Sequence, residues 1–308
     1  MGPMVLMLAA SVCAGVAEPV IDMHLHSYER DPRFARRVPN PATGAPMTVK
    51  DGADHARAMV AALHKAGVVR GIVGGESSAT DDRMVALDPA RLRAGYAIDT
   101  VPTAAQLADI RARHAAGKLA MIGEITTQYQ GIRHDDPGLE PLWALAEELD
   151  VPIAVHAGAG PPGIVYLGSP RHRAGLADPL ALEGVLARHP KMKLIVMHGG
   201  WPFRDSTIAL LHAYPQVHLD LGAINWIDGA PGFHDYLRAL VTYGFGKRIL
   251  FGSDSMVWPE ATALAIERFR AADYLTDAQR RDIFFDNAVR LFGWTDLAGC
   301  GGVAAPAK

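Results

Sequence analysis

The chain has 308 residues, 49% of them hydrophobic and 20% charged, with a formal net charge of −3. That length suits one α/β barrel without requiring a second domain, and the apolar fraction supports a large buried core. The near-neutral balance gives no electrostatic ground for nucleic acid or an anionic membrane as partner, which leaves a small molecule as the expected one.

In chain order, Met4 to Ala17 is apolar and uncharged and ends in small residues, with Gly15 and Ala17 ahead of Glu18. It resembles the apolar core and cleavage site of a secretory signal, although no Lys or Arg precedes it. A leader over residues 1–18 and export to a periplasm are therefore expected; without such processing the location would be cytoplasmic. The run is too short to span a bilayer as a helix, and no other apolar run reaches about 18 residues, so an integral membrane protein is not expected. The two cysteines, Cys13 and Cys300, lie outside the motif-bearing region, which argues against a disulfide framework and against a cysteine-ligated zinc.

From residue 19 strand-like and helix-like segments alternate. Short runs rich in Val, Ile, Leu and Met predict strands at 19–26, 68–74, 92–98, 119–125, 151–157, 193–199, 217–222 and 248–253. They are apolar on both faces, as strands covered on both sides are. Amphipathic stretches predict helices at 54–66, 103–116, 139–149, 178–188, 204–213, 233–243, 260–272 and 277–291. Thr103 after Pro102 and Asp178 before Pro179 supply helix-start signals. Residues 29–51 and 158–176 read as long loops, and the Gly- and Ala-rich stretch 296–308 as a flexible tail. Eight strands separated by helices predict a (β/α)₈ barrel over 19–295.

Six residues with metal-ligating side chains end the apolar runs or sit among their last residues: His24 and His26, Glu124, His156, His198, and Asp254. His24 and His26 stand two apart on a strand and so share a face. His156 and His198 are followed by Ala157-Gly158 and Gly199-Gly200, where small residues let backbone approach a ligand. Asp254, at the end of Phe251-Gly252-Ser253-Asp254, needs a cation or hydrogen-bond donors if buried. Any one of these histidines alone would read as a satisfied core residue. Four imidazoles and two carboxylates at five strand ends read as a metal site, and they favour closure, because the first and eighth strands of a flat sheet would lie ~30 Å apart.

HxH on the first strand, His on the fifth, His on the sixth and Asp on the eighth resembles the amidohydrolase superfamily. The closing segment Ile283-Phe284-Phe285-Asp286-Asn287-Ala288-Val289-Arg290-Leu291-Phe292-Gly293 is similar to the C-terminal helix of its amidohydrolase-related branch, which includes aminocarboxymuconate-semialdehyde decarboxylase and a pyrone-dicarboxylate lactonase. The resemblance spans residues 19 to 294. It implies that His24 and His26 bind a first ion with Asp254 as ligand and proton acceptor, that His156 is a ligand, and that His198 is a ligand or polarises the substrate. Glu124 occupies the position where two-ion members place a bridging group; a supporting role beside an Arg is the alternative.

The implied activity is a metal-dependent hydrolase that directs a metal-activated water at an ester, lactone or amide bond. The alternative is a non-oxidative decarboxylase of a small unsaturated or aromatic acid, with two ions favouring the first and one the second. A non-catalytic metal-stabilised barrel is disfavoured, since six candidate ligands exceed what a closed structural zinc site uses. Zn²⁺ is the ion expected for histidine-rich ligation, one or two per chain, and a mixed N/O set also accepts Mn²⁺. Tyr28, Trp201, Asn225, Trp258 and Arg173 are the candidates for substrate contact, with Gln128, Tyr129 and Trp226 near the same strand ends. A homo-oligomer is compatible with the sequence, though no motif specifies one.

Overall fold

In the computed structural model, which describes residues 12–297, 299 and 300, eight parallel strands alternate with helices. The strands are β1 (Val20–Leu25), β2 (Val68–Val73), β3 (Leu92–Ala94), β4 (Ile122–Ile125), β5 (Ile153–His156), β6 (Leu194–Met197), β7 (Val217–Asp220) and β8 (Ile249–Leu250). Apart from Arg93 and His218, every strand residue is buried, so the unbroken apolar runs are explained by cover on both faces. Strand pairing follows chain order from β1 to β3 and from β4 to β8.

Backbone hydrogen bonds close both remaining seams. Ala120 N donates to Ala94 O (2.8 Å), Ile98 N to Glu124 O (3.0 Å) and Thr126 N to Ile98 O (2.9 Å), joining β3 to β4. Met23 N donates to Phe251 O (3.0 Å) and Asp254 N to His24 O (2.9 Å), joining β8 to β1. The first and last strands are therefore neighbours, as the barrel requires, and their carboxyl ends share one mouth.

The helices are α1 (Gly52–Lys65), α2 (Ser78–Leu87), α3 (Ala104–Ala115), α4 (Glu140–Glu148), α5 (Glu183–Arg188), α6 (Arg204–Ala213), α7 (Ala230–Thr242), α8 (Ala261–Arg270) and α9, which runs from Asp277 to Phe292 through a π-helical turn at Asp282–Asp286. Their starts follow the expected chemistry. Asp51 caps α1 by accepting from Asp54 N (2.8 Å), and Thr103 forms a reciprocal capping box with Gln106 at α3. Asp178 caps a 3₁₀ turn at Pro179–Leu182 that leads into α5.

Several expectations need correction. Helix α2 was not among the predicted helices; Ser77 starts it through a capping box with Thr80, while the polar run Thr80-Asp81-Asp82-Arg83 blurs its periodicity. The loop at 29–51 contains a helical turn, Pro32–Arg36. Strands β3 and β8 are shorter than the predicted 92–98 and 248–253, with Tyr96 and Ile98 making isolated bridges instead. Cys13 and Cys300, whose placement argued against a disulfide framework, are joined in a disulfide, Cα to Cα 5.5 Å.

Residues 296 and 297 of the expected tail belong to a turn, Thr295–Leu297, in which Leu297 is buried and Asp296 pairs with Arg70 (2.6 Å). Of the expected leader, Val12 packs in a buried cluster with Ile21, Met23 and Phe285. Residues 1–11 and 301–308 lie outside the described residues. Among the described residues no helix is long and apolar enough to cross a membrane.

Candidate metal centre

All six predicted ligands converge at the mouth. Glu124 lies at their centre, and its two oxygens face different partners. Oε2 stands 3.8 Å from His24 Nε2 and 3.7 Å from His26 Nε2. Oε1 stands 2.6 Å from His156 Nδ1 and 3.3 Å from His198 Nε2. Asp254 Oδ1 joins the first set, 3.0 Å from His26 Nε2 and 3.9 Å from His24 Nε2, while its Oδ2 lies 3.8 Å from His198 Nδ1. Two triads, His24–His26–Asp254 and His24–Glu124–His198, keep their ligand atoms within 4.8 Å of one another.

The outward nitrogens fix how the rings are protonated. His26 Nδ1 lies 2.8 Å from Gly74 O and His198 Nδ1 lies 2.9 Å from Gly222 O. A carbonyl can only accept, so each Nδ1 carries a proton and each Nε2 faces inward. His24 Nδ1 faces the Asp220 carboxylate at 3.3 Å, with the same consequence. His156 is reversed: Nε2 meets the Tyr129 hydroxyl at 2.9 Å, and Nδ1 looks inward.

Four inward ring nitrogens and the Glu124 and Asp254 carboxylates thus crowd one buried space, where His156 Nδ1 lies 2.6 Å from Glu124 Oε1 and 3.0 Å from His198 Nε2. His24 Nε2 and Asp254 Oδ1 are both buried and make no hydrogen bond. The two acceptors at 3.0 Å, His26 Nε2 and Asp254 Oδ1, attract each other only through a proton or a cation between them. Glycines make room for this crowding. A Cβ at Gly222 would lie 2.9 Å from His24 Nδ1 and 3.0 Å from Asp254 Cβ, and one at Gly252 would lie 2.7 Å from His24 Cβ. Two of the six, His198 (φ 56°) and Asp254 (φ 45°), occupy the left-handed region, which costs roughly 1–3 kcal/mol and persists only where surroundings impose it.

Protonation equilibria reflect the same field. Burial pulls His24 down, but the Asp254 and Asp220 carboxylates outweigh it and hold the imidazole well above its ordinary range. Burial pushes Glu124 up, yet His156 and its hydrogen bond overcome that and hold the carboxyl well below the usual range. Asp254 is likewise lowered, with His24 and His26 prevailing over burial. His156 is lowered by burial and by His198. The carboxylates stay ionised and draw positive charge inward. A divalent ion meets that demand, and the N/O donor set suits one.

Beside the centre lies a cavity of about 780 Å³, with His26 and Glu124 on one side and Tyr28, Arg30, Glu76 and Tyr96 among its other walls. Its size is that of a small-molecule pocket. Of the residues predicted to contact substrate, Tyr28 lines this cavity. Trp201 instead lines a separate hollow with Phe203 and packs edge-on against Tyr236.

Asn225 is fully buried, and its Nδ2 donates to Gly252 O (2.8 Å). Trp258 is buried with Nε1 donating to Val38 O (3.1 Å), which ties down the long loop after β1. The Arg173 guanidinium donates to the carbonyls of Pro170 and His172 in its own loop. Trp226 likewise spends its Nε1 on Ser253 O (2.9 Å). The donors of Asn225, Trp226 and Trp258 are thus spent on backbone, while Asn225 Oδ1 makes no hydrogen bond and Arg173 is exposed.

Two carboxylates were missed. Asp220 ends β7 and faces His24. Asp22, on β1, accepts from His24 N (3.1 Å) and Ser253 N (2.9 Å) and so pins the β1–β8 seam. For Asp220 the signal was present, since Val217-His218-Leu219-Asp220 is one more strand that ends on a carboxylate.

A closed barrel that gathers four imidazoles and two carboxylates at the carboxyl ends of its strands, beside a small-molecule pocket, defines an enzyme of the histidine–carboxylate barrel class. The amidohydrolase family model matches residues 21–294, and the chain belongs to that family. Over 156 residues, 46% of the chain, it is 26% identical to Protein fluG of Emericella nidulans, and the match spans 17% of that longer protein.

Three solved structures share the fold. A TIM-barrel protein from Bordetella bronchiseptica superposes with a TM-score of 0.67 at 19% identity, covering 89% of this chain and 98% of that one. A probable 2-pyrone-4,6-dicarboxylic acid hydrolase from Acinetobacter baumannii gives 0.63 at 15%, covering 89% and 99%. A 2,6-dihydroxybenzoate decarboxylase from Rhizobium gives 0.59 at 16%, covering 90% and 98%.

Proposed function

We propose that this protein hydrolyses an ester, lactone or amide bond of a small molecule at a centre that holds two divalent cations, Zn²⁺ or Mn²⁺. The observation that carries the reading is the division of Glu124, one oxygen toward His24 and His26 and the other toward His156 and His198. A carboxylate so divided offsets the mutual repulsion of two cations, which a one-ion site does not need. His24, His26 and Asp254 would hold one ion, His156 and His198 the other, with Glu124 between them.

Cations bound there would lower the pKa of water toward ~7 and polarise a carbonyl. The protein's own groups do the rest. Asp254 commits Oδ1 to the first set and keeps Oδ2 to accept the proton of the attacking water and return it to the leaving oxygen or nitrogen. Asp220, Gly74 O and Gly222 O keep three imidazoles in one tautomer, so no ring must turn as charge develops. Tyr28 and Tyr96 give the substrate flat walls, and Arg30 stands as a cation against Glu76 and Asp99 in the same cavity.

That wall favours a neutral substrate over the carboxylates named for the structural neighbours. The likeness to the dihydroxybenzoate decarboxylase supports the lyase alternative, a decarboxylation of a small aromatic acid. Product analysis separates the two. The protein loaded with Zn²⁺ or Mn²⁺ is offered lactones, aryl esters, N-acyl amino acids and hydroxybenzoates, with acid release and carbon dioxide followed together. Acid release without carbon dioxide is expected; carbon dioxide from a hydroxybenzoate with no hydrolysis of any ester, lactone or amide overturns the reading.

A further inference from the structure

We infer that Asp220 is the positioning residue of the centre, one carboxylate that sets both halves at once. The inference rests on the metal-binding reading above and adds a residue to it. Asp220 is fully buried at the end of β7. Its Oδ2 lies 3.3 Å from His24 Nδ1 and makes no hydrogen bond, while its Oδ1 accepts from the same nitrogen at 3.5 Å. Its Oδ1 accepts from Gly222 N (2.6 Å) and stands 3.4 Å from His198 N.

His24 from the first half and His198 from the second are thus referred to the same side chain. The Gly222 backbone that Asp220 holds also supplies the carbonyl that fixes His198 Nδ1. Among the described residues Asp220 has no Lys or Arg partner, so His24 is where its charge is answered.

The partners of the other rings sharpen the point. His26 and His198 lean on backbone carbonyls and His156 on a hydroxyl, whereas His24 alone leans on an anion through its outward nitrogen. A carboxylate behind an imidazole fixes its tautomer and raises its basicity more than a carbonyl does. His24 is the member common to both triads, so added basicity at this ring strengthens the hold on the first ion. The bare Gly222 and Gly252 on either side keep the contact open, since a Cβ at Gly222 would lie 2.9 Å from both Asp220 Oδ1 and His24 Nδ1.

The test compares wild type, Asp220→Asn, His24→Ala and the double variant, each stripped of metal and titrated with Zn²⁺ against a chelating indicator, with the visible spectrum of the Co²⁺-loaded proteins as a second readout. Loss of a residue of this kind weakens metal binding by about 10- to 100-fold. We expect that loss in Asp220→Asn, a changed Co²⁺ spectrum, and a metal-free unfolding temperature close to wild type. In the His24→Ala background Asp220→Asn should weaken binding less than it does in the wild type, the remainder reporting its hold on His198.

Unchanged Zn²⁺ affinity in Asp220→Asn, or an equal loss in both backgrounds, overturns the inference and leaves the metal reading intact. Failure of the wild type to bind Zn²⁺ or Co²⁺ overturns the metal reading itself. A measurement free of variants guards against misfolding. In the Zn²⁺-loaded wild type, ¹⁵N-resolved NMR of His24 should find the ring proton on Nδ1, and a proton on Nε2 refutes the inference.

Discussion

A single methyl group placed behind His24 tests how tightly the centre is built. Gly222 lies outside the left-handed region, so alanine suits its backbone. On backbone grounds alone Gly222→Ala would stabilise the fold by about 0.4–1 kcal/mol through the unfolded state. The added Cβ, however, would meet Asp220 Oδ1 and His24 Nδ1 at 2.9 Å and Asp254 Cβ at 3.0 Å. All three neighbours are buried and held from other sides, and overpacking of this kind costs roughly 1–3 kcal/mol.

The balance predicts a metal-free protein less stable by up to about 2.6 kcal/mol. Metal sites tolerate ligand displacements of only about 0.2 Å, so Zn²⁺ affinity should fall about tenfold or more. Gly232→Ala is the control, because a Cβ there meets nothing within 4 Å and the residue sits in helix α7, where alanine is worth up to about 1 kcal/mol over glycine. Thermal unfolding of the metal-free proteins and chelator competition read both effects. If Gly222→Ala matches Gly232→Ala, more stable and undiminished in Zn²⁺ affinity, the packing argument is refuted.

Other residues give further expectations. Asn225→Ala removes a buried donor to Gly252 O and should cost roughly 1–3 kcal/mol in denaturant unfolding while KM stays unchanged; a raised KM at unchanged stability would return Asn225 to the substrate pocket. Asp81, buried at the start of α2 and accepting from Ser27 Oγ (2.6 Å), is pushed up by burial to about 7 from 3.8. Below about pH 4 its carboxyl is protonated whether folded or unfolded, and above about 7 it is ionised in both, so the penalty for burying its charge is absent in acid and complete above neutrality. Asp81→Asn should therefore raise stability by up to roughly 4 kcal/mol at pH 8, with the gain shrinking toward pH 4; an equal effect at both pH values would contradict this.

The barrel was legible because its strands are covered on both faces, and runs such as Val68–Val73 and Leu194–Met197 carry that burial in their composition. The six candidate ligands were legible because each stands at or near the end of such a run, where the topology forces convergence. Asp220 obeys the same rule, but the strand predicted over 217–222 runs past it and carries His218 mid-run, so it does not stand at the predicted end.

Helix α2 was hidden by its polar first turn, although Ser77 and Thr80 spell a cap. Asn225, Trp226 and Trp258 lie near strand ends as predicted, yet a sequence does not say whether a polar atom there turns to the pocket or to a neighbouring carbonyl. The pairing of Cys13 with Cys300 joins residues 287 apart, a separation at which sequence carries no local sign of contact.

The central claim, that Glu124 divides its carboxylate between two cations, is tested most directly by counting metal. Elemental analysis after equilibration with excess Zn²⁺ and removal of unbound metal should give two ions per chain for the wild type and fewer than two, with hydrolysis lost, for Glu124→Gln. One ion per chain in the wild type, with binding and turnover unchanged in Glu124→Gln, would contradict the account.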